Sequence, residues 1–280
     1  MVLTIIGNAI LPDKSNYLKE ISQFVGTENG RTTNPPLFFF RFLTCMSRKL
    51  FICGDIHGKL KTLVWKLVEQ KKITDADVII VGDIGVGFGR PKSFEVLYKS
   101  VERRLQRSNN KLWCIRGNHD DPSFFDGSVK YPFLELLPDH KLVEINDFKV
   151  YPMGGATSVD REDRLKTMKH SKYPIYWKGE SVEKKDSNFD YPPKVDIIVS
   201  HESPISFKPI PVRSDDIDPE LWEEILEDRR YLEKVKVLIR SGYWFFGHYH
   251  KSYEGECGIM IYRGLGELEL YEVDEKIELP

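Results

Sequence analysis

The chain has 280 residues, 41% hydrophobic and 30% charged, with 41 Lys and Arg against 43 Asp and Glu for a formal net charge of −2. These values exclude extensive disorder and any overall basic bias toward nucleic acid or an anionic membrane. No apolar run approaches the roughly 20 residues of a membrane span, and the length suits one large α/β domain or two small ones.

Residues 1–47 have no clear period of 2.0 or 3.6: a polar, turn-forming TENGRTTNPP precedes an apolar LFFFRFL. They read as an N-terminal arm, or as an upstream extension of the reading frame. The start, MVLTIIGNAILPDK, lacks the cationic segment of a secretory signal. The four cysteines, Cys45, Cys53, Cys114 and Cys257, form no C-x-x-C pair. Cys53 and Cys114 sit in apolar runs as small hydrophobes, so a reducing, cytoplasmic setting is expected.

A regular pattern begins at residue 48 and is expected to form one domain to residue 275. KLFICGDI is a short apolar strand, and KLKTLVWKLVEQ places Leu60, Leu63, Val64, Leu67 and Val68 at helical spacing. DVIIVGDI is a second buried strand, SFEVLYKSVERRLQR an amphipathic helix and KLWCIRGN a third strand. This βαβαβ order predicts a mainly parallel sheet covered by helices. KLVEI and FKVYPMGG read as a hairpin around Asn146 and Asp147. The charged stretch from Thr157 to Lys194 is expected to be a surface excursion beside the site. VDIIVSHE is another buried strand. A helix capped by Asp218 and Pro219 follows, then the strand YWFFGHYH. GIMIYRGLGELELYEV suggests closing antiparallel strands.

The strand ends carry the chemistry. They deliver Asp55 and His57, then Asp83, then Asn118, His119 and Asp120, then His201, then His248 and His250. Each group follows an apolar strand at its carboxyl end, where open α/β sheets bind ligands. Of seven histidines, only His140 and His170 lie elsewhere. Any one of these residues alone is better explained by a turn or a satisfied core role; their joint placement on successive strand ends points to a metal site. The donors are Asp, His and Asn without thiolate. That set suits Mn²⁺ first, with Fe or Zn²⁺ next, and argues against a structural zinc knuckle.

The ordered series GDIHG, VGDIG, RGNHD, SHESP and GHYH resembles the calcineurin-like metallophosphoesterase superfamily, over Lys49 to Glu269. The resemblance implies a layered α/β sandwich with mixed, largely parallel sheets flanked by helices, and a dinuclear metal site. By that resemblance Asp55, His57 and His250 hold one divalent ion, Asn118, His201 and His248 a second, and Asp83 bridges them. His119 corresponds to the histidine that approaches the substrate. One departure matters: protein phosphatases of the superfamily carry GD-x-x-DRG, whereas VGDIGVGFGR has Val86 and Gly87 in place of that Asp and Arg.

The expected reaction is attack of a metal-activated water on a phosphoester, with His119 as proton donor and Asp120 orienting that region. A phosphomonoester is the first expectation for the substrate, of no particular chemical class, and a phosphodiester or nucleic-acid substrate the alternative. An inactive binding module should have lost ligands, whereas all eight motif positions are present. Arg116, Arg161 and Arg164 are the expected phosphate contacts, with Arg90 and Arg263 behind them. The run RLKTMKHSKYPIYWK is basic and aromatic, which suits a phosphorylated ligand or a solvated loop.

Overall fold

The computed structural model describes residues 48–209 and 217–279. The N-terminal arm expected over residues 1–47 lies outside them. A five-stranded sheet has the order β11-β1-β2-β3-β4 and a six-stranded sheet the order β5-β6-β7-β8-β10-β9. The strands are β1 (Lys49–Cys53), β2 (Ala76–Ile80), β3 (Lys111–Cys114), β4 (Leu134–Leu136), β5 (Val143–Ile145), β6 (Phe148–Met153), β7 (Lys194–Ser200), β8 (Arg240–Phe246), β9 (Tyr253–Cys257), β10 (Met260–Gly264) and β11 (Leu270–Val273). Strands β1 to β4 run parallel, as do β6, β7, β8 and β10; β11, β5 and β9 are antiparallel edges.

The layering follows from side-chain alternation along the strands. Phe51, Cys53, Val78 and Ile80 point to the outer face of the first sheet, where they meet α1 (Leu60–Trp65) and α2 (Ser93–Ser108). Leu50, Ile52, Ile79 and Val81 point the other way and meet Val150, Ile197, Val199 and Phe245 of the second sheet. Ile198, Trp244 and Phe246 face outward again, toward Leu232 and Val235 of α4 (Pro219–Leu238). The result is helix, sheet, sheet, helix. Because both faces of each central strand are covered, these strands read as continuous apolar runs rather than alternating ones.

Local signals formed as expected in several places. Asp218 caps α4, accepting from the amides of Glu220 at 2.9 Å and Leu221 at 3.1 Å, with Pro219 in the first turn. Asn146 and Asp147 both adopt left-handed backbone, at φ 49° and 68°, which the tight turn between β5 and β6 requires. Two expectations need correction. The terminal strands are antiparallel only in part: β10 pairs antiparallel with β9 and β11 with β1, but β10 also runs parallel to β8, in the other sheet. The stretch from Thr157 to Lys194 is not confined to the surface. It contains α3 (Arg161–Met168) and buries Ser158, Arg164 and Glu180, because those side chains satisfy one another beneath the site.

Pairing register sets the site. Cys53 is level with Ile80, and Ile80 with Cys114, so the first three strands end in one row. Ser200 is level with Phe246 in the second sheet. The loops after these strands therefore emerge together along one edge of the sandwich.

Candidate metal centre

Four of the converging residues are held in strained backbone. His57, Asp83, His248 and His250 have φ of 43°, 55°, 69° and 53°, a region that non-glycine residues rarely occupy and that clusters at functional sites. The glycines beside them are required by crowding. A Cβ on Gly117 would lie 2.0 Å from Asp83 Oδ1, and one on Gly247 2.0 Å from Asp55 Oδ1. The sequence places glycine at these points because the carboxylates press directly on the neighbouring backbone.

Asp55, His57, Asp83 and His250 each offer a ligand atom, all within 4.8 Å of one another. His57 Nε2 and His250 Nε2 are 2.8 Å apart, and His250 Nε2 is 3.3 Å from Asp55 Oδ2. A second set adjoins the first. His201 Nδ1 donates to the Val81 carbonyl at 2.7 Å, which leaves Nε2 as a lone pair. That lone pair faces Asn118 Oδ1 at 2.9 Å and Asp83 Oδ1 at 3.5 Å. The Asn118 amide cannot offer its NH₂ instead, because Nδ2 donates to Ser158 Oγ at 2.8 Å. His248 stacks edge-on against His201, ring centroids 5.1 Å apart, and its Nε2 is 3.9 Å from Glu202 Oε2. Asp83 touches both sets, with Oδ2 3.6 Å from His57 Nδ1.

These contacts fit divalent cations. His201 Nε2 and Asn118 Oδ1, two acceptors facing each other where both residues are buried, are unfavourable without a positive charge between them. Asp55 Oδ1 is buried with no hydrogen-bond partner in the protein. Burial pushes the Asp83 carboxyl well above the usual range, and Asp55 and then Asp120 push it the same way. Burial also raises Asp55, but His201, His250 and His248 outweigh it and leave that carboxyl below its ordinary value. Burial lowers His201 to about 3, so its imidazole is a neutral ligand. Held by one orienting carbonyl, it has the form a metal-binding histidine takes.

His119 lies at the edge of this group, its ring 5.3 Å from that of His57. Its backbone N–H donates to Asp83 Oδ1 at 2.9 Å. Burial, followed by Arg164 and the neighbouring histidines, holds its imidazole at about 3, so the free protein carries it neutral, well below the ~6.5 of an unperturbed imidazole.

Other expected residues do not meet the reacting centre. Asp120 is fully buried and accepts from four amides: Ile84 at 3.2 Å, Gly85 at 2.6 Å, Val86 at 3.1 Å and Gly117 at 2.8 Å. It ties the second strand-end loop to the third and has no free edge for a substrate, so it is a positioning residue. Arg116 pairs with Asp139 at 2.6 Å and donates to the carbonyls of Gly179, Glu180 and Ser181. Arg161 is held by Glu180 and Glu224. Arg164 donates to Ser158 Oγ, Glu180 and the carbonyls of Asn118 and Ile175. Arg263 lies over the Tyr271 ring beside Glu254, while Arg90 is exposed. The expected phosphate contacts Arg116, Arg161 and Arg164 are thus spent on protein partners.

Sequence reasoning missed Ser158 and Glu180. The hydroxyl of Ser158 accepts from Asn118 and from Arg164 Nη1 at 2.5 Å, and donates to Glu180 Oε2 at 2.5 Å. A signal existed: MGGATS follows β6 as the metal motifs follow their strands, but a hydroxyl does not titrate and was passed over. Nothing in the sequence marked Glu180, which arrives from the long excursion.

A double-sheet scaffold whose strand ends pool carboxylates, imidazoles and an amide carbonyl is that of a metal-dependent hydrolase. The sequence profile of the calcineurin-like phosphoesterases matches residues 48–252; the chain belongs to that family and is a phosphoester hydrolase. No curated protein matches. Among solved structures, a phosphopantetheinyl hydrolase from Mycobacterium tuberculosis is similar at 13% identity and a TM-score of 0.41, covering 79% of this chain and 90% of that one. No helix among the described residues is long and apolar enough to cross a membrane.

Proposed function

We propose that the chain is a phosphomonoesterase working with two divalent ions, Mn²⁺ foremost. Asp55, His57 and His250 would hold one ion, Asn118, His201 and His248 the other, and Asp83 both. When bound, such ions would lower the pKa of a water, from 15.7 toward ~7 where a single zinc is the reference, and offset charge on the phosphoryl oxygens. The protein's own contribution is positional. Asp55 and His201 are buried without exposure and cannot wander, so the ligand geometry is set before substrate arrives. His119 would give a proton to the leaving oxygen. An anionic phosphoryl group beside it favours the imidazolium that burial disfavours.

The observation that carries the monoester reading is the cavity at His57 and His119. Its volume is about 280 Å³, below the ~300–1,000 Å³ of sites for drug-sized ligands, which leaves room for one compact substituent. A diester has two. The buried free thiols of Cys53 and Cys114 support a cytoplasmic setting. The test is Mn²⁺-loaded protein offered p-nitrophenyl phosphate and bis-p-nitrophenyl phosphate. The monoester should be cleaved with the higher kcat/KM; a preference for the diester overturns the reading.

A further inference from the structure

The loop after β2 reads GDIGVGFGR, and neither the metal ligands nor the proton donor account for its second half. Gly85, Gly87 and Gly89 all take left-handed backbone, at φ of 85°, 78° and 82°. A Cβ on Gly87 would lie 2.3 Å from that of Asp121, so the loop closes down tightly there. This alternation presents Phe88 at the tip. The Phe88 ring centroid is 6.1 Å from that of His119 and 5.9 Å from that of Trp177, which reaches over from the excursion. The Gly89 amide donates to the Pro174 carbonyl at 3.3 Å and fastens the two segments together. Phe88 is nevertheless 38% exposed.

Phe88 lines a cavity beside the candidate metal ligands. His57 and His119 line it as well, so it adjoins the candidate metal centre. Phe88, Phe94 and Leu97 form its walls, with Ser93 as the one side-chain hydroxyl. That hydroxyl already donates to the Phe88 carbonyl at 3.4 Å. Apart from the two histidines, no titratable side chain lines the space among the described residues. A sugar, a glycerol or a charged leaving group would lose its water there without replacement. A flat apolar ring would instead gain contacts on every wall. Ring centroids 4.5–7 Å apart are the usual spacing of attractive aromatic pairs, so Phe88 and His119 already pair with each other, and a ligand ring in the cavity would pack against both rather than between them.

We propose that this cavity is the leaving-group subsite and takes the ring of an aryl phosphomonoester, with Phe88 as the residue that sets the preference. The proposal rests on the monoesterase reading. The shared chemistry is a phosphorylated phenol, from a small molecule or from a phosphotyrosyl side chain.

Non-hydrolysable phosphonates separate binding from the intrinsic reactivity of aryl esters. With the Mn²⁺-loaded enzyme and p-nitrophenyl phosphate as reporter, phenylphosphonate should inhibit at least about tenfold more tightly than methylphosphonate, from burial of the ring. Phe88→Ala should weaken phenylphosphonate by about threefold to tenfold, with methylphosphonate moving less than about twofold. Phe88→Leu, which keeps bulk without a ring, should fall between. Because Phe88 is partly exposed, these variants should fold, and unchanged melting temperatures establish that. A phosphotyrosyl peptide and free phosphotyrosine, each compared with its phosphoserine counterpart, distinguish the two sources, and preference for tyrosine in either pair supports the subsite. Equal inhibition by the two phosphonates, or variants that weaken both alike, overturns this inference while turnover of the reporter keeps the monoesterase reading. No turnover of any monoester ends both.

Discussion

Replacing Ser158 with alanine tests whether the buried network beneath the site sets the metal ligands. Its hydroxyl is fully buried and is the acceptor that holds the Asn118 NH₂, at 2.8 Å. Without it, that NH₂ is left unpaired away from water, at a cost of about 1–3 kcal/mol. The amide has an alternative. If it turns over, Nδ2 donates to the lone pair of His201 Nε2, which now faces Oδ1 at 2.9 Å. The turned amide satisfies the metal-free protein but presents N–H groups where a cation needs an oxygen. Stability should therefore fall only modestly, while Mn²⁺ affinity falls by the 10- to 100-fold typical of lost outer-shell partners, about 1.4–2.8 kcal/mol. Titration calorimetry with Mn²⁺ on metal-stripped wild type and Ser158→Ala reads the affinity, and thermal melts in chelator read the stability. Affinity within about twofold of wild type, with the variant folded, would show that Ser158 is packing alone and refute the reasoning.

Other outcomes follow from the same geometry. His119→Asn should keep its Mn²⁺ and lose about 10²- to 10⁴-fold in kcat on an alkyl phosphate, and much less on p-nitrophenyl phosphate, whose leaving group needs no proton; metal loss on titration would contradict the role. Gly247→Ala drives a Cβ to 2.0 Å from Asp55 Oδ1 and 2.9 Å from Val81 Cγ2, so the purified variant should fail to bind Mn²⁺, and retained affinity would show that the backbone yields more than the packing implies. His140 Nε2 donates to the Glu183 carbonyl at 2.8 Å while Nδ1 accepts from the Tyr151 hydroxyl at 2.9 Å, and burial keeps its pKa below the ordinary value. The unfolded chain then binds this proton more readily, so the stabilisation is complete above about pH 6.5 and is lost as pH falls below it. Melts of the metal-stripped protein at about pH 7 and pH 5 should show a smaller acid loss in His140→Gln than in wild type, and identical losses would remove His140 from the effect.

The candidate metal ligands are legible because strand, glycine and donor are adjacent in sequence: a covered parallel strand is a short apolar run, and its end must turn sharply. Asp55, Asp83 and His201 each announce themselves this way. The arginines' partners are not legible in the same way, because charge in sequence does not say which partner it meets. Arg116 follows β3 and precedes Gly117, yet it turns into the protein to grip Asp139 and three carbonyls. Asp120 shows the same limit. A carboxylate beside His119 suggested chemistry, while four backbone amides fill its coordination. Ser158 and Glu180 act through tertiary contacts 40 and 22 residues away in sequence, a range at which no local pattern exists. Phe88 was passed over because the altered motif was read for what it lacked rather than for the ring its glycines display.

The central claim is that strand ends from two sheets share Asp83 to hold a pair of divalent ions. Titration of the metal-stripped protein with Mn²⁺, followed by calorimetry and by electron paramagnetic resonance, tests it directly in wild type and Asp83→Asn. The account predicts two ions per chain with a spin-coupled signal in wild type, and loss of the coupled pair in the variant. One isolated ion in wild type, or a coupled pair that survives Asp83→Asn, would contradict it.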